Sequence, residues 1–70
     1  LGRYEEALAN FDRAISLQPD DYKTWDNRGI ALLELGRYEE ALANFDRAIS
    51  LQPDDYKTWD NRGIALLELG

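Results

Sequence analysis

The chain has 70 residues, of which 8 are basic and 14 are acidic, so its formal net charge at pH 7 is −6. A surface of this sign repels phosphate backbones, and no basic cluster interrupts it, which argues against a nucleic-acid partner. Cysteine and histidine are absent, so neither a disulfide nor a zinc site can support the small core of so short a chain.

The sequence is an internal repeat. Residues 1–34 and residues 35–68 are identical letter for letter, and Leu69-Gly70 begins a third copy. A 34-residue period is typical of stacked helical hairpins, in which the repeat is the unit of structure. Independent mutation would have made the copies differ, so their identity indicates a designed or idealised array, or a very recent duplication. Since methionine is also absent, we expect an excerpt of a longer or processed chain.

The first predicted element of each repeat is an amphipathic helix, over residues 3–18 and again over residues 37–52. In the second copy, residues spaced by three and four fill one arc of a helix that turns about 100° per residue. The members of this arc are Tyr38, Ala41, Leu42, Phe45, Ala48, Ile49 and the terminal polar residue Gln52. Glu39 and Glu40 suit the first turn, where the helix dipole favours negative charge, and Pro53 cannot continue the helix.

The second predicted element is a shorter helix. It is expected over residues 22–34 and again over residues 56–68. In the turn that precedes the later copy, Asp55 (or Asp54) is the natural N-cap. Gly36 is expected to end the earlier copy as a left-handed cap residue. The predicted order is therefore four helices joined by short turns, with no strand pattern.

The shorter helix has two different faces on a helical wheel. The first combines large aromatic residues with a glycine and a leucine, as a core face does: Tyr22, Trp25, Gly29 and Leu32. The second mixes charged, amide and aliphatic residues: Lys23, Asp26, Asn27, Ile30, Leu33 and Glu34. A purely solvated face would not normally carry both an isoleucine and a leucine. The second face is therefore the candidate functional surface.

The residues at these positions resemble the tetratricopeptide repeat, whose pattern is W-x₂-L-G-x₂-Y, then A-x₃-F, then P, with a 34-residue period. The matching residues are Trp25, Gly29, Leu35-Gly36-Arg37-Tyr38, Glu40-Ala41, Phe45, Ala48 and Pro53, and the resemblance extends over all 70 residues. Two positions depart from the pattern: Arg28 replaces leucine and Leu32 replaces tyrosine. We expect the Arg28 stem to lie along the edge of the core with its guanidinium in water.

The resemblance implies an all-α fold in which antiparallel helical hairpins stack into a right-handed α-solenoid, the superhelix of this family. In that frame, residues 1–21 are a second helix with its turn, residues 22–55 are a complete motif, and residues 56–70 are a first helix alone. The first helices of such motifs line a concave groove that holds an extended peptide or a partner's helix. The expected function is a scaffold for protein–protein interaction.

The resemblance assigns six residues of each copy to this groove. They are Lys23, Asp26, Asn27, Ile30, Leu33 and Glu34, with Lys57, Asp60, Asn61, Ile64, Leu67 and Glu68. In several family members an asparagine at the place of Asn27 and Asn61 holds the ligand's backbone, because an amide both donates and accepts. The alternative is that these amides bond to a neighbouring helix or to water.

Other groove positions also have two interpretations. The aliphatic residues either pack between adjacent helices or contact a ligand, and both can hold for different atoms of one side chain. Lysines at positions 23 and 57 are more often solvated than bound to a ligand. One family subtype grips a terminal carboxylate with lysine and asparagine, but Asp26 and Ile30 stand at those places, so that subtype is rejected.

Catalytic and cofactor chemistry has little support. The adjacent acids Asp20-Asp21 and Glu39-Glu40 diverge instead of converging on a substrate. Asp54-Asp55 with Asp60 lacks the glycine and the terminal glutamate of a calcium loop. The longest apolar run, Ile30–Leu33, is far shorter than the roughly 20 residues that span a bilayer. We expect no enzyme activity, metal, cofactor or membrane partner, and the lack of cysteine is compatible with the cytoplasm.

A second hypothesis is structural, because the first and last predicted helices each lack a partner. Their exposed apolar residues are expected to be Tyr4, Leu8, Phe11 and Ile15 at one end and Trp59 and Leu66 at the other. These faces are complementary, so chains could stack head-to-tail into a continuous superhelix through a heterologous contact. The chain would then be a self-assembling module without a ligand of its own. Phe11→Glu or Trp59→Glu would disrupt it, and Asn27→Ala or Asn61→Ala would be silent.

Overall fold

The computed structural model describes residues 3–70, and it contains four α-helices and no strand within that range. They are α1 (Tyr4–Leu17), α2 (Tyr22–Glu34), α3 (Tyr38–Leu51) and α4 (Tyr56–Leu69). The predicted helices are confirmed, with bounds that differ by at most one residue at either end. Leu1 and Gly2, which the predicted first unit includes, lie outside the described residues.

The helices begin and end where local hydrogen bonds satisfy their backbone. Asp21 accepts a hydrogen bond from the Lys23 backbone N–H at 3.1 Å, and Asp55 accepts one from the Lys57 N–H at 3.0 Å. These are side-chain N-caps, and they settle the choice between Asp54 and Asp55.

The end of α2 is a Schellman motif. Gly36 has φ +80, its N–H donates to the Leu33 carbonyl, and the Arg37 N–H donates to the Leu32 carbonyl. Glycine adopts this left-handed backbone without the steric cost that other residues bear. The predicted cap is therefore confirmed.

Each helix packs on its neighbours in the chain, and α2 also touches α4. The core is centred between α2 and α3, where Leu32, Ala41, Phe45 and Ala48 are fully buried. Gly29 permits this contact, because a Cβ atom there would lie only 2.5 Å from Cε1 of Phe45. On the predicted core face of α2, Gly29 and Leu32 are buried, while the two aromatic residues are half-buried.

The expectation that the Arg28 guanidinium lies in water is wrong. Its Nε donates to Asp12 of α1 at 2.9 Å, and its Nη1 donates to Asn44 of α3 at 3.1 Å. Asn44 is buried and also donates to the Glu40 carbonyl at 2.7 Å. Arg28 thus links three helices, and its planar, multidentate head suits such a bridge better than the leucine of the family pattern would.

The expectation for the two end faces is partly wrong. Leu8 is buried because α1 packs it against α2, and Tyr4, Phe11 and Ile15 are half-buried. At the other end, Trp59 and Leu66 of α4 are exposed. The uncovered apolar surface is therefore concentrated on α4.

Candidate functional site

A cleft of about 650 Å³ opens between α2 and α4. Because the two helices carry the same sequence, residues from the same repeat positions line both walls. The lining residues are Tyr22, Lys23, Asp26, Asn27 and Ile30 from α2, and Asp55, Lys57, Asp60, Asn61 and Ile64 from α4 and its cap. We call this set the α2–α4 cleft.

Eight of the twelve groove residues expected from the sequence line this cleft. The other four lie elsewhere: Leu33, Glu34, Leu67 and Glu68. Leu33 packs against the core, and the Glu34 carboxylate accepts a hydrogen bond from the Tyr4 hydroxyl of α1 at 3.5 Å. Leu67 is 82% exposed. For Leu33, packing within the chain is therefore the better of the two interpretations.

Tyr22 and Asp55 line the cleft, although sequence reasoning assigned them to a core face and to a helix cap. The Tyr22 hydroxyl donates to Oδ2 of Asp55 at 2.9 Å, while Oδ1 of the same carboxylate caps α4. This bond raises the pKa of Tyr22, with smaller contributions from burial and from the negative charges of Asp55, Asp26 and Asp21. The hydrogen bond ties the start of α2 to the start of α4.

The two candidate asparagines have different surroundings. Asn61 is half-buried and donates from Nδ2 to Oδ1 of Asp26 across the cleft at 3.3 Å. A bond to a neighbouring helix was the alternative interpretation of this amide. Asn27, its copy on α2, is exposed on the opposite wall. The cleft thus holds one amide engaged between the helices and one turned to solvent.

The cleft combines apolar and charged contacts. Ile30 and Ile64 are 37% and 44% exposed, so both keep apolar surface available to a ligand. Three carboxylates and two lysine ammonium groups surround them. Within residues 3–70, no group of three or more acidic side chains is placed to hold a metal ion. No helix in this described part of the chain is long and apolar enough to cross a membrane.

Comparison with known proteins agrees with this architecture. A family model described as "Tetratricopeptide repeat" matches residues 2–55, a range that contains α1, α2 and α3. No curated protein matches the sequence. Paired helices in sequence order and the family match confirm the resemblance seen in the residues. The chain belongs to the tetratricopeptide repeat family, a helical scaffold fold that generally mediates protein–protein interactions.

Proposed function

We propose that the chain binds an extended segment of a partner protein in the α2–α4 cleft. The observation that carries this proposal is the duplication of the lining: each wall presents a lysine, an aspartate, an asparagine and an isoleucine in the same order. An extended peptide repeats its own backbone donors and acceptors along its length. A cleft with a repeated lining suits such a ligand better than it suits a compact small molecule.

The chemistry of the cleft supports contacts to both the backbone and the side chains of a peptide. Asn27 is exposed and able to donate and accept, so it can pair with a peptide unit whatever its side chain. Asn61 already donates one hydrogen bond to Asp26, but its amide oxygen can still accept a peptide N–H. Ile30 and Ile64 offer apolar surface beside these amides.

The expected affinity is modest. Two amide contacts contribute about 0.5–1.5 kcal/mol each. Partial burial of the two isoleucines adds a few kcal/mol at roughly 25 cal/mol/Å². Ordering a flexible peptide opposes binding by an amount of similar size. These terms leave less than the roughly 4 kcal/mol that millimolar binding requires. We therefore expect millimolar binding or weaker for two walls, and tighter binding where more repeats line the surface.

The test is selection of extended peptides from a random displayed library, followed by calorimetric titration of the selected peptides. The double variant Asn27→Ala/Asn61→Ala should weaken their binding about tenfold, since it removes both amides. Asn10→Ala is the matched control, because this exposed asparagine of α1 lies outside the cleft. Selected peptides that bind the double variant and the wild type equally would overturn the proposal.

A structural role without a ligand is the second candidate function. Chains would join end to end into a continuous superhelix, and the observation in its favour is the uncovered face of α4. Leu66 there is 43% exposed, whereas the identical Leu32 of α2 is fully buried. If this is the only role, peptide selection should fail and the asparagine variants should have no effect.

A further inference from the structure

The charged residues of the α2–α4 cleft differ in how far they are buried. Asp26 and Asp55 are half-buried, whereas Lys23 and Lys57 are exposed. Water and salt screen a partly buried charge less than they screen an exposed one. The two aspartates therefore dominate the electrostatic field inside the cleft, and that field is negative.

The side-chain partners of these two carboxylates are neutral. Oδ1 of Asp26 accepts a hydrogen bond from the Asn61 amide at 3.3 Å, and Oδ2 of Asp55 accepts one from the Tyr22 hydroxyl at 2.9 Å. The ion pairs formed within residues 3–70 all join arginines to acidic residues outside the cleft. A negative charge thus remains in the cleft for a ligand to neutralise.

The Tyr22 phenol lies in the same field. The hydrogen bond to Asp55 is the main cause of its raised pKa, and burial and the negative charges of Asp55, Asp26 and Asp21 raise it further. Three carboxylates therefore act on one side chain of the cleft wall. The phenol responds to this field by holding its proton more tightly, and a ligand would respond by presenting a positive charge.

We propose that the segment bound in the α2–α4 cleft carries a lysine or arginine side chain whose cationic group pairs with Asp26. This inference rests on the proposed peptide-binding function and adds to it the charge of the partner. Among the side-chain hydrogen bonds of residues 3–70, the one from Asn61 alone reaches this carboxylate, through Oδ1. Oδ2 can therefore accept from an ammonium or guanidinium group. Because Asn61 already holds the carboxylate in place, pairing requires little further ordering of the protein.

The surroundings of Asp26 also suit the stem of a basic side chain. Ile30 lies four residues after Asp26 on α2, so the two side chains share one face of the helix, and Ile30 is 37% exposed. A lysine or arginine side chain covers apolar surface with its methylene groups while its charged end stays in polar surroundings. Asp60 and Ile64 repeat this arrangement on α4, but Asp60 is exposed, so its ion pair would contribute less.

An acidic partner is the alternative, since the cleft also contains two lysines. Both lysines are exposed, and ion pairs to exposed ammonium groups contribute little to binding. The chain has a net charge of −6, which attracts basic segments and repels acidic ones during approach. The charge of the whole chain and the charge inside the cleft therefore favour the same partner, a basic one.

The test is selection from the random displayed peptide library on three proteins in parallel: the wild type, Asp26→Asn and Glu39→Gln. Selection on the wild type should enrich lysine and arginine relative to the unselected library. Asp26→Asn keeps an oxygen that can accept from Asn61 but removes the charge, so the enrichment should be lost. Glu39→Gln is the matched control, because it removes the same charge from an exposed residue of α3 outside the cleft. Its enrichment should equal that of the wild type.

A titration then measures the contact itself. In a selected peptide, the basic residue is replaced by norleucine, which keeps an apolar stem but carries no charge. The replacement should weaken binding to the wild type about tenfold and leave binding to Asp26→Asn unchanged. NMR titration of isotope-labelled protein measures these affinities, and circular dichroism checks that Asp26→Asn has the helicity of the wild type.

The outcomes separate this inference from the proposed function. Selected peptides that depend on Asn27 and Asn61 but show no enrichment of basic residues would overturn the pairing and leave the proposed function standing. Enrichment of acidic residues would also overturn it, and would assign the specificity to Lys23 and Lys57. Enrichment of basic residues that persists on Asp26→Asn would contradict the role of Asp26. A selection that yields no peptide dependent on the cleft would overturn the proposed function and this inference together.

Discussion

Phe45 lies so close to Gly29 that a Cβ atom on this glycine would stand 2.5 Å from Cε1 of the ring. Phe45 is among the largest fully buried side chains among the described residues. Gly63 occupies the same position of the next repeat, and nothing lies within 4 Å of a Cβ atom placed there. The two glycines therefore allow one substitution to be compared in two environments of a single chain.

Gly29→Ala should destabilise the chain, and Gly63→Ala should stabilise it. Alanine improves helix propensity at either position by about 0.5–1 kcal/mol. At position 29 the methyl group must also displace the Phe45 ring, and overpacking of this kind costs about 1–3 kcal/mol. Urea unfolding at a low protein concentration measures both variants. A Gly29→Ala variant as stable as Gly63→Ala would contradict the close packing of α2 on α3.

Leu32→Ala should cost far more stability than Leu66→Ala, although the two leucines have identical sequence neighbours. Leu32 is fully buried, so its truncation removes apolar contacts and leaves a cavity, at a cost of about 2–5 kcal/mol. Leu66 is 43% exposed, and its truncation should cost less than about 1 kcal/mol. Thermal unfolding followed by circular dichroism compares them. Equal losses would mean that α4 is covered in solution, as docking of a second copy would produce.

Thr58→Val should stabilise the chain by about 1 kcal/mol. The Thr58 side chain is fully buried, and its hydroxyl oxygen has no hydrogen-bond partner within residues 3–70. An unsatisfied buried hydroxyl costs about 1–3 kcal/mol, and valine has nearly the same shape without it. Thr24→Val is the control, because Thr24 is only half-buried. A loss of stability in Thr58→Val alone would show that a buried water satisfies the hydroxyl.

The fold should become less stable at alkaline pH, because the hydrogen bond from Tyr22 to Asp55 is lost there. Because folding raises the pKa of Tyr22 above its ordinary value of 10.0, the folded state holds the phenol proton more tightly than the unfolded state does. The stabilisation is present below pH 10 and is lost as the pH rises through the folded-state pKa. Subtracting the tyrosinate absorbance titration of Tyr22→Phe from that of the wild type isolates this group. Its midpoint should lie above 10.0.

Asp55→Asn provides the control for that titration. Asparagine still caps α4 but carries no negative charge, so the midpoint of Tyr22 should move down towards its ordinary value. A midpoint that is the same in wild type and Asp55→Asn would contradict the assigned cause. The urea-unfolding free energy of both proteins at neutral pH checks that the cap has been kept.

The sequence was sufficient to predict the limits of the four helices of residues 3–70 to within one residue. The helix limits follow from the apolar periodicity together with Asp21, Asp55 and Gly36. Each of these three cap residues forms its hydrogen bond with a backbone group only a few residues away. The core position of Leu32 follows from the same periodicity. Such signals are local, so they can be interpreted without knowing how the helices are offset against one another.

The features that sequence reasoning missed join residues on different helices. Arg28 reaches partners 16 residues away on both sides, Tyr22 reaches one 33 residues away, and Asn61 reaches one 35 residues away. These separations depend on the offset between stacked helices, and the apolar periodicity of the sequence does not specify that offset. Leu8 was misplaced for a related reason, since a wheel identifies an apolar arc but not the part of it that the next helix covers.

The placement of the buried side chains also has a consequence for how the chain opens. Among residues 3–70, fully buried leucine and phenylalanine side chains lie on α2 and α3 alone, and each of the four helices is held mainly by its sequence neighbours. A molecule arranged in this way unfolds helix by helix from its termini rather than in one step. Backbone amides of the two terminal helices, α1 and α4, should therefore exchange with deuterium before those around Leu32 and Phe45, which should exchange last.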